Sequence, residues 1–140
     1  MSNVAELPRI AISAGDHERL QNIADAAART APRVAEYLQY ELDRATICDA
    51  QPDGPAKVEM GSYVEFRDDK TGRVRSVQLV YPAQADPAAG KISVLTPIGA
   101  ALIGLSEKQS IEWPTRTGER KTLTVLKVFG EPGAFGYLDM

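Results

Sequence analysis

The sequence predicts an α+β fold: a short N-terminal antiparallel helical hairpin (a coiled coil), then a small antiparallel β-sheet domain with one short helix. Two observations predict it. Apolar residues recur with helical spacing before residue 46 and with a period of two after residue 62. Between them, residues 49–57 contain two prolines, a glycine and two aspartates, a composition typical of a linker. We therefore expect two domains, residues 1–50 and 51–140.

The first half carries the signals of two helices and a tight turn. Ser13 followed three residues later by Asp16 has the form of a capping box, which predicts the start of the first helix. Thr30 is expected to cap the second helix, with Pro32 in its first turn. A short strand is expected at residues 9–12. The two apolar stripes are Leu20, Ile23, Ala24 and Ala27, then Val34, Leu38, Leu42 and Ala45.

The second half alternates as strands do. Strands are predicted at residues 63–66, 77–81, 92–95 and 111–113, with a last strand from residue 123. Gly72 is expected to take a positive φ in the first turn. Pro97 opens a short helix that Gly104 closes. The alternation breaks at Leu126 and Val128, which predicts a bulge or burial on both faces. The tail from Gly130 is expected to fray.

Composition excludes several classes of protein. The net charge is −3, and all of it falls in residues 1–50, so neither half offers the cationic surface that direct nucleic-acid binding needs. No apolar run approaches the ~20 residues that span a bilayer, and residues 1–9 contain no signal-peptide core. One cysteine cannot form an internal disulfide. We expect a cytoplasmic protein without membrane contact.

Residues with catalytic or metal-binding chemistry are sparse and scattered. His17 is the sole histidine and is expected on the surface, at the start of the first helix. Cys48 is expected to be a half-buried packing residue, and Trp113 to lie in or near the core. Asp68 and Asp69 read as a solvated turn pair. These residues form no catalytic set, no metal site and no cofactor motif, so the sequence favours an interaction module over an enzyme.

Residues 92–105, "ISVLTPIGAALIGL", resemble the C-terminal domain of the Gre transcript-cleavage factors. The closing hairpin "SIEWPTRTGERKTLTVLKV" follows in the order that this family shows. The similarity is greatest to the Rnk branch of the family, which shares "LVYPA" at residues 79–83, "PIGAALIGL" at residues 97–105 and "ELDRA" at residues 41–45. The resemblance covers nearly the whole chain.

This resemblance implies an FKBP-like C-terminal fold that docks at the rim of the secondary channel of bacterial RNA polymerase. It also implies a hairpin that points into the channel. The predicted binding residues are Thr96, Pro97, Ile98 and Gly99, at a helix start whose backbone N–H groups are free for a partner's acceptor. A purely structural cap is the alternative interpretation of this turn.

The hairpin tip departs from the Gre pattern. Gre factors carry acidic residues at a longer tip, where they help to hold a catalytic magnesium, whereas this tip displays Arg29, Thr30 and Arg33. Asp25 and Glu36 lie about one turn back. Ala100 and Thr96 stand where the cleavage factors commonly have arginine and serine. We therefore expect a regulator that does not stimulate cleavage and competes with Gre factors.

Two other functions stay open. The chain could serve another protein as an interaction module, including in the regulation of nucleoside diphosphate kinase. A peptidyl-prolyl isomerase is the third reading, but its aromatic-lined pocket fits poorly with 6% aromatic residues. The expected partner is RNA polymerase, with nucleic acid met only through the polymerase complex. We expect a monomer without a cofactor.

Overall fold

The N-terminal region folds as two antiparallel helices in the computed structural model, which describes residues 7–48, 56–115 and 117–130. Helix α1 spans Ala14–Ala27 and helix α2 spans Pro32–Arg44. His17 near the start of α1 donates from Nε2 to the Leu42 carbonyl near the end of α2, over 3.0 Å. Midway along the pair, Gln39 donates to Gln21 Oε1 at 2.9 Å. These contacts show that the helices run in opposite directions.

At the start of α1, only one of the two hydrogen bonds of the predicted capping box is present. The Ser13 hydroxyl accepts a hydrogen bond from the Asp16 N–H at 3.2 Å, as predicted. The Asp16 carboxylate does not return to Ser13 but accepts from the Met60 N–H at 3.3 Å. The acid of the motif therefore joins the first helix to the segment that leads into the sheet.

The start of α2 differs from the prediction. Thr30 is exposed and does not cap the helix; its N-cap is Ala31, which provides no side-chain hydrogen bond. The reason is Pro32, because a proline disfavours the helical conformation of the residue before it. Ala31 accordingly has φ −139° and ψ 64°, and the helix begins at the proline. The hairpin thus turns over residues 28–31.

The base of the helical hairpin, where α1 begins and α2 ends, contains a buried ion pair. Glu41 is 1% exposed, and Arg44 donates to its Oε1 from Nε at 3.0 Å and from Nη2 at 2.7 Å. Arg44 Nη1 also donates to the Pro8 carbonyl at 2.5 Å. Arg44 of the "ELDRA" segment therefore connects the residues before α1 to the end of α2, and Glu41 of the same segment accepts two hydrogen bonds from Arg44.

A two-stranded sheet closes this base. Strand β1 (Ala11–Ile12) pairs in parallel with strand β2 (Thr46–Ile47). The predicted strand at residues 9–12 is therefore real but shorter. The Ala11 N–H also donates to the Gly104 carbonyl at 3.2 Å, which connects the small sheet to the C-terminal half.

Within the described residues, the main sheet has five strands in the order β5-β4-β3-β7-β6. Neighbouring strands are antiparallel except β4 and β5, which run parallel. The prediction of an antiparallel sheet is therefore wrong for this pair, because alternation reveals a strand but not its direction. The connection between the two strands holds the short 3₁₀ helices Pro82–Gln84 and Pro87–Ala89. The strands are β3 (Tyr63–Asp68), β4 (Val74–Val80), β5 (Lys91–Ser93), β6 (Ser110–Pro114) and β7 (Arg120–Phe129).

The last strand contains the predicted bulge. Glu65 pairs with Lys127 while its neighbour Phe66 pairs with Val125, so Leu126 is the extra residue on β7. This irregularity explains why the apolar alternation changes phase there. Gly72 has φ 78°, as predicted for the turn between β3 and β4.

Helix α3 (Pro97–Leu102) packs between the hairpin and β6. Its buried residues join those of both halves in one apolar cluster, so the hairpin and the sheet share a core. Most of the predicted linker at residues 49–57 and the tail beyond Gly130 lie outside the described residues, and the domain boundary at residue 50 stays a prediction. The cluster includes Ile12, Leu20, Leu38, Leu42, Val64, Phe66, Leu79, Leu102, Ile103 and Val125.

Candidate functional site

The turn from β5 into α3 is held by Thr96. Its hydroxyl donates to the Ser93 carbonyl at 2.7 Å and accepts from the Gly99 N–H at 3.0 Å. Pro97 has no N–H to offer. The expectation of free backbone amides is therefore wrong for Gly99, since the cap already uses its N–H. The turn still presents its shape and its side chains to a partner.

Gly99 is the buried residue of this turn and packs closely against the Ser93 backbone. A Cβ at this position would lie 2.1 Å from the Ser93 carbonyl oxygen, so no larger residue fits without moving the backbone. Thr96, Pro97 and Ile98 are each half-buried and form the accessible part of the predicted binding segment. The segment is thus both a structural cap and a surface feature.

A groove of about 590 Å³ lies between this turn and the start of α2. We call it the hairpin groove. Residues 31–34 and Tyr37 form one wall of the groove, and residues 95–97 form the opposite wall. Its third side is formed by the end of β6 and the turn to β7, with Pro114, Thr115 and Gly118. The end of the helical hairpin therefore faces the predicted binding turn.

A second groove of about 400 Å³ lies on the other side of the turn, and we call it the sheet groove. Thr96, Pro97 and Thr115 line both grooves, so they form a ridge between them. The remaining wall residues of the sheet groove are Arg75, Ala85, Pro87, Ile92, Ser93, Ile98, Trp113 and Lys121.

The charged side chains that line the two grooves are all cationic. Arg33 lines the hairpin groove, and Arg75 and Lys121 line the sheet groove. The Arg75 guanidinium lies 5.8 Å from the centre of the Phe66 ring. Lys121 Nζ lies 3.6 Å from a carboxylate oxygen of Asp68, so its charge is partly neutralised. At least one cationic side chain therefore lies on each side of the ridge.

Tyr37 is an unusual member of the hairpin groove. Its hydroxyl is buried and has no hydrogen-bond partner within the part of the chain that the structure describes. Burial, together with the nearby carboxylate of Glu41, raises the pKa of Tyr37 well above its ordinary value. The hydroxyl is therefore neutral, and its capacity to donate a hydrogen bond is unused among the described residues.

The predicted tip residues separate into two groups. Arg33 is exposed in the first turn of α2 and lines the hairpin groove beside the ridge. Arg29 and Thr30 are exposed in the turn between the helices and line neither groove. The structure therefore brings one tip residue together with Thr96 and Pro97 and leaves the other two apart.

The carboxylates near the tip are not gathered into a cluster. Asp25 accepts a hydrogen bond from Gln21 Nε2 at 3.0 Å, and Glu36 is exposed on α2. Over residues 7–48, 56–115 and 117–130, no group of three or more histidine, cysteine, aspartate or glutamate residues could hold a metal ion. Nor does any helix in those ranges have the length and apolar content to cross a membrane.

One expectation about surface residues was wrong. His17 is half-buried because its ring reaches across to the Leu42 carbonyl. The side chains of Asp68 and Asp69 are partly solvated, as predicted, and are 24% and 27% exposed. They also accept hydrogen bonds, Asp68 from the Lys70 N–H at 2.9 Å and Asp69 from the Thr124 hydroxyl at 2.8 Å. Cys48 and Trp113 are half-buried, as predicted.

Sequence reasoning missed Tyr37, Arg75, Thr115 and Lys121 as groove residues. They lie on four separate elements or turns, and no local spacing connects them. The pairing of β6 with β7 sets Trp113 opposite Lys121, and this register places both beside the ridge. Only a prediction of strand order and register could have identified them.

Comparison with known proteins places the chain in a family. Residues 8–47 match the family model described as the Rnk N-terminus, and residues 52–129 match that described as the C-terminal part of the transcription elongation factors GreA/GreB. The "Regulator of nucleoside diphosphate kinase" of Escherichia coli K12 is 37% identical over 129 residues, which are 92% of this chain and 95% of that protein.

GreA proteins share a shorter stretch. The "Transcription elongation factor GreA" of Dehalococcoides mccartyi is 35% identical over 81 residues, 58% of this chain and 52% of that protein. A solved structure described as a prokaryotic transcription elongation factor GreA/GreB from Nitrosomonas europaea superposes with a TM-score of 0.66 at 35% identity. It covers 87% of this chain and 98% of its own. The chain belongs to the Rnk family and carries the GreA/GreB C-terminal domain.

Proposed function

We propose that the protein regulates transcription by binding RNA polymerase at the rim of its secondary channel, without stimulating RNA cleavage. One observation carries the proposal: within the GreA/GreB-type domain, Thr96, Pro97 and Thr115 form a ridge between two grooves. Such a ridge offers a partner contact area on both of its sides. The GreA relatives are named as transcription elongation factors, which makes the transcription machinery the first partner to test.

The position of the hairpin supports the same proposal. The hairpin groove joins the start of α2 to the ridge, so the turned end of the hairpin and the ridge lie on one side of the molecule. A partner that holds the ridge and enters the hairpin groove therefore also meets Ala31 and Arg33. Binding at the rim would direct this end of the hairpin toward the channel.

The chemistry of this end argues against cleavage. Metal-assisted hydrolysis of RNA needs oxygen ligands at ~2.1 Å from magnesium. A guanidinium is always protonated and has no lone pair to give a metal, so Arg29 and Arg33 cannot replace a pair of acids. Helix α1 has 14 residues, which reach about 21 Å at ~1.5 Å per residue. A hairpin of this length is too short to carry Asp25 and Glu36 past the active centre to the reacting phosphate. The protein would therefore occupy the channel without assisting cleavage, and so compete with Gre factors.

The test is a backtracked elongation complex with saturating protein, followed by sizing of the transcript. We expect no shortening above the intrinsic activity of the polymerase, and suppressed cleavage when a Gre factor is added. Shortening of the RNA by this protein alone would show that it is a cleavage factor. Undiminished Gre cleavage at saturation would show that it does not occupy the channel.

Regulation of nucleoside diphosphate kinase is the second candidate, favoured by the name of the Escherichia coli relative. Direct regulation requires contact between the two proteins. Purified kinase, assayed with and without this protein, distinguishes the candidates. A change in kinase activity at stoichiometric protein supports direct regulation. An unchanged activity, with polymerase binding intact, leaves transcription as the route by which any effect on the kinase would arise.

A further inference from the structure

Positive charge is concentrated in three short segments of the chain. Residues 28–33, 67–75 and 114–121 hold nine of the 16 lysine and arginine residues but three of the 19 aspartate and glutamate residues, a net charge of +6. The rest of the chain holds seven cations and 16 acids, a net charge of −9. A count by halves hides this difference, because each half also contains many of those acids.

The fold brings the three segments to one end of the molecule, which we call the cationic end. Residues 67–75 span the turn between β3 and β4, and residues 114–121 span the turn between β6 and β7. Since β3 and β7 are neighbours, the two turns lie side by side, and Lys70 Nζ is 3.9 Å from a carboxylate oxygen of Glu119. The hairpin groove joins residues 28–33 to the second turn.

The cations of this end are accessible to a ligand. Arg29 and Arg73 are exposed and form no ion pair among the described residues. The side chains of Lys70 and Glu119 are 69% and 60% exposed, and such exposed pairs are weak. Adding Glu112, which lies just before the second turn, lowers the net charge of the end to +5 and leaves it positive.

The uncharged residues of the two sheet turns indicate a phosphate ligand. Each turn contains a cation followed by threonine and glycine, KTG at residues 70–72 and RTG at residues 116–118. Thr71 and Thr117 are exposed. Lysine, arginine and threonine side chains are the groups that contact the phosphates of nucleic acids. The cationic end therefore has the composition of a backbone-binding surface.

Two features favour a duplex over a single strand. The three segments contain no aromatic residue, whereas proteins that bind single strands stack the bases on aromatic side chains. The centres of the two turns are two strand spacings apart, about 10 Å at ~4.8 Å per spacing. The major groove of duplex DNA is ~12 Å wide, so the turns can reach the phosphates of both strands across one groove.

We propose that the cationic end binds the phosphate backbone of duplex DNA without reading its base sequence. Lys70 and Arg73 of the first turn contact one strand, and Arg120 of the second turn contacts the other. The sequence-based expectation was that nucleic acid is met only through the polymerase complex, so this contact goes beyond the proposed function. It does not depend on that function, because the charges and the spacing of the turns are properties of this chain alone.

Fluorescence anisotropy of a short labelled DNA duplex, titrated with the full chain at several salt concentrations, tests the proposal. We expect a dissociation constant of about 10⁻⁵ M near physiological salt, as for other contacts made to the backbone alone. The logarithm of the affinity should fall with the logarithm of the salt concentration, with a slope of about −3.6 for roughly four phosphate contacts. A flat salt dependence, or no saturable binding at low salt, would overturn the proposal.

Charge reversal locates the contact. Lys70→Glu with Arg73→Glu changes two exposed side chains that line neither groove. Lys91→Glu with Lys127→Glu is the matched control: it changes the net charge equally, at exposed positions about 20 Å from the turns at ~3.3 Å per residue. We expect the first variant to weaken DNA binding about tenfold and to reduce the salt slope by about 2. The control should change binding less than about twofold, since charges beyond ~8 Å are screened. Equal losses in both variants would show that net charge alone matters, and the proposal would be wrong.

Two further measurements separate this contact from other ligands. Single-stranded RNA of the same sequence should bind more weakly than the duplex, and tighter binding of the RNA would overturn the assignment to duplex DNA. The variant with Lys70→Glu and Arg73→Glu should still bind RNA polymerase. If it loses polymerase but keeps DNA binding, the cationic end serves the protein partner, and this proposal fails while the proposed function stands. A wild-type protein that binds DNA but not polymerase would give the opposite result. Melting temperatures check folding, and the two single substitutions replace the double variant if it is unstable.

Discussion

The two ends of the helical hairpin differ in how they are held. At its base, His17 bonds to the Leu42 carbonyl, and Arg44 connects Glu41 to the Pro8 carbonyl. At the opposite end, α2 starts without a side-chain cap, and Arg29 and Thr30 are exposed. Buried polar bonds therefore concentrate at the base.

This difference separates stability from binding within one small element. Removing one partner of a buried ion pair leaves a charge without compensation, which is costly. Exposed residues away from such features contribute little to the free energy of unfolding. The base should therefore determine whether the hairpin folds, and the other end should be free to vary with the partner. Three predictions test this difference, in order of decreasing effect.

The largest effect is expected for Arg44→Met. This change leaves the Glu41 carboxylate buried without its partner and also removes the bond to Pro8. We expect the free energy of unfolding to fall by about 3 kcal/mol, measured by denaturant titration.

Arg19→Met is the matched control for that experiment. Arg19 forms the same i,i+3 pair with Asp16, at 3.4 Å, but its side chain is 64% exposed. Exposed pairs contribute about 0–1 kcal/mol, so this variant should remain close to the wild type. Combining Arg44→Met with Glu41→Gln should restore part of the lost stability. Equal effects of the two arginine substitutions would show that the base pair is no more important than a surface pair.

The next effect is a pH dependence that comes from Glu41. Burial raises the pKa of its carboxyl above the usual 4.5, and the Arg44 guanidinium opposes this only in part. The folded protein therefore holds this proton more tightly than the unfolded chain. The resulting stability is fully present below pH 4.5 and is lost as the pH rises through the folded-state pKa.

Glu41→Gln removes this titration. Between pH 4 and pH 8 the free energy of unfolding of the variant should decline less than that of the wild type. Glu36→Gln, exposed near the other end of α2, is the control. Parallel pH curves for the wild type and Glu41→Gln would contradict the prediction.

Local chemistry in the sequence predicted the helices and the strands of the main sheet but not their partners, and it missed strand β2. The serine cap at Ser13, the positive φ of Gly72 and the bulge at Leu126 each depend on a few neighbouring residues, and each was found. The parallel pairing of β4 with β5 was not, because strand direction depends on the path of the connection. The hydrogen bond of His17 was not predicted either, because its partner, the Leu42 carbonyl, lies 25 residues away in the sequence.

The candidate site shows the same division. The segment from Thr96 to Gly99 could be singled out from the sequence because proline and glycine mark a strand-to-helix turn there, and because the surrounding residues resemble the Gre C-terminal domain. Its grooves could not, since their walls include Tyr37, Arg75 and Lys121 from distant elements. Gly99 illustrates the limit: its need for a small residue comes from the Ser93 carbonyl across the turn, a contact visible only in three dimensions.

The smallest effect on the free energy of unfolding is expected at the tip of the helical hairpin, residues 28–31. Arg29→Ala together with Thr30→Ala changes two exposed side chains that line neither groove, and neither residue caps α2. We expect the free energy of unfolding to change by less than about 0.5 kcal/mol, measured by the same denaturant titration as for Arg44→Met. Any loss of polymerase inhibition in this variant would then be a loss of contact in the channel, since folding is intact. A fall of more than about 1 kcal/mol would instead show that this end of the hairpin is held by bonds of its own.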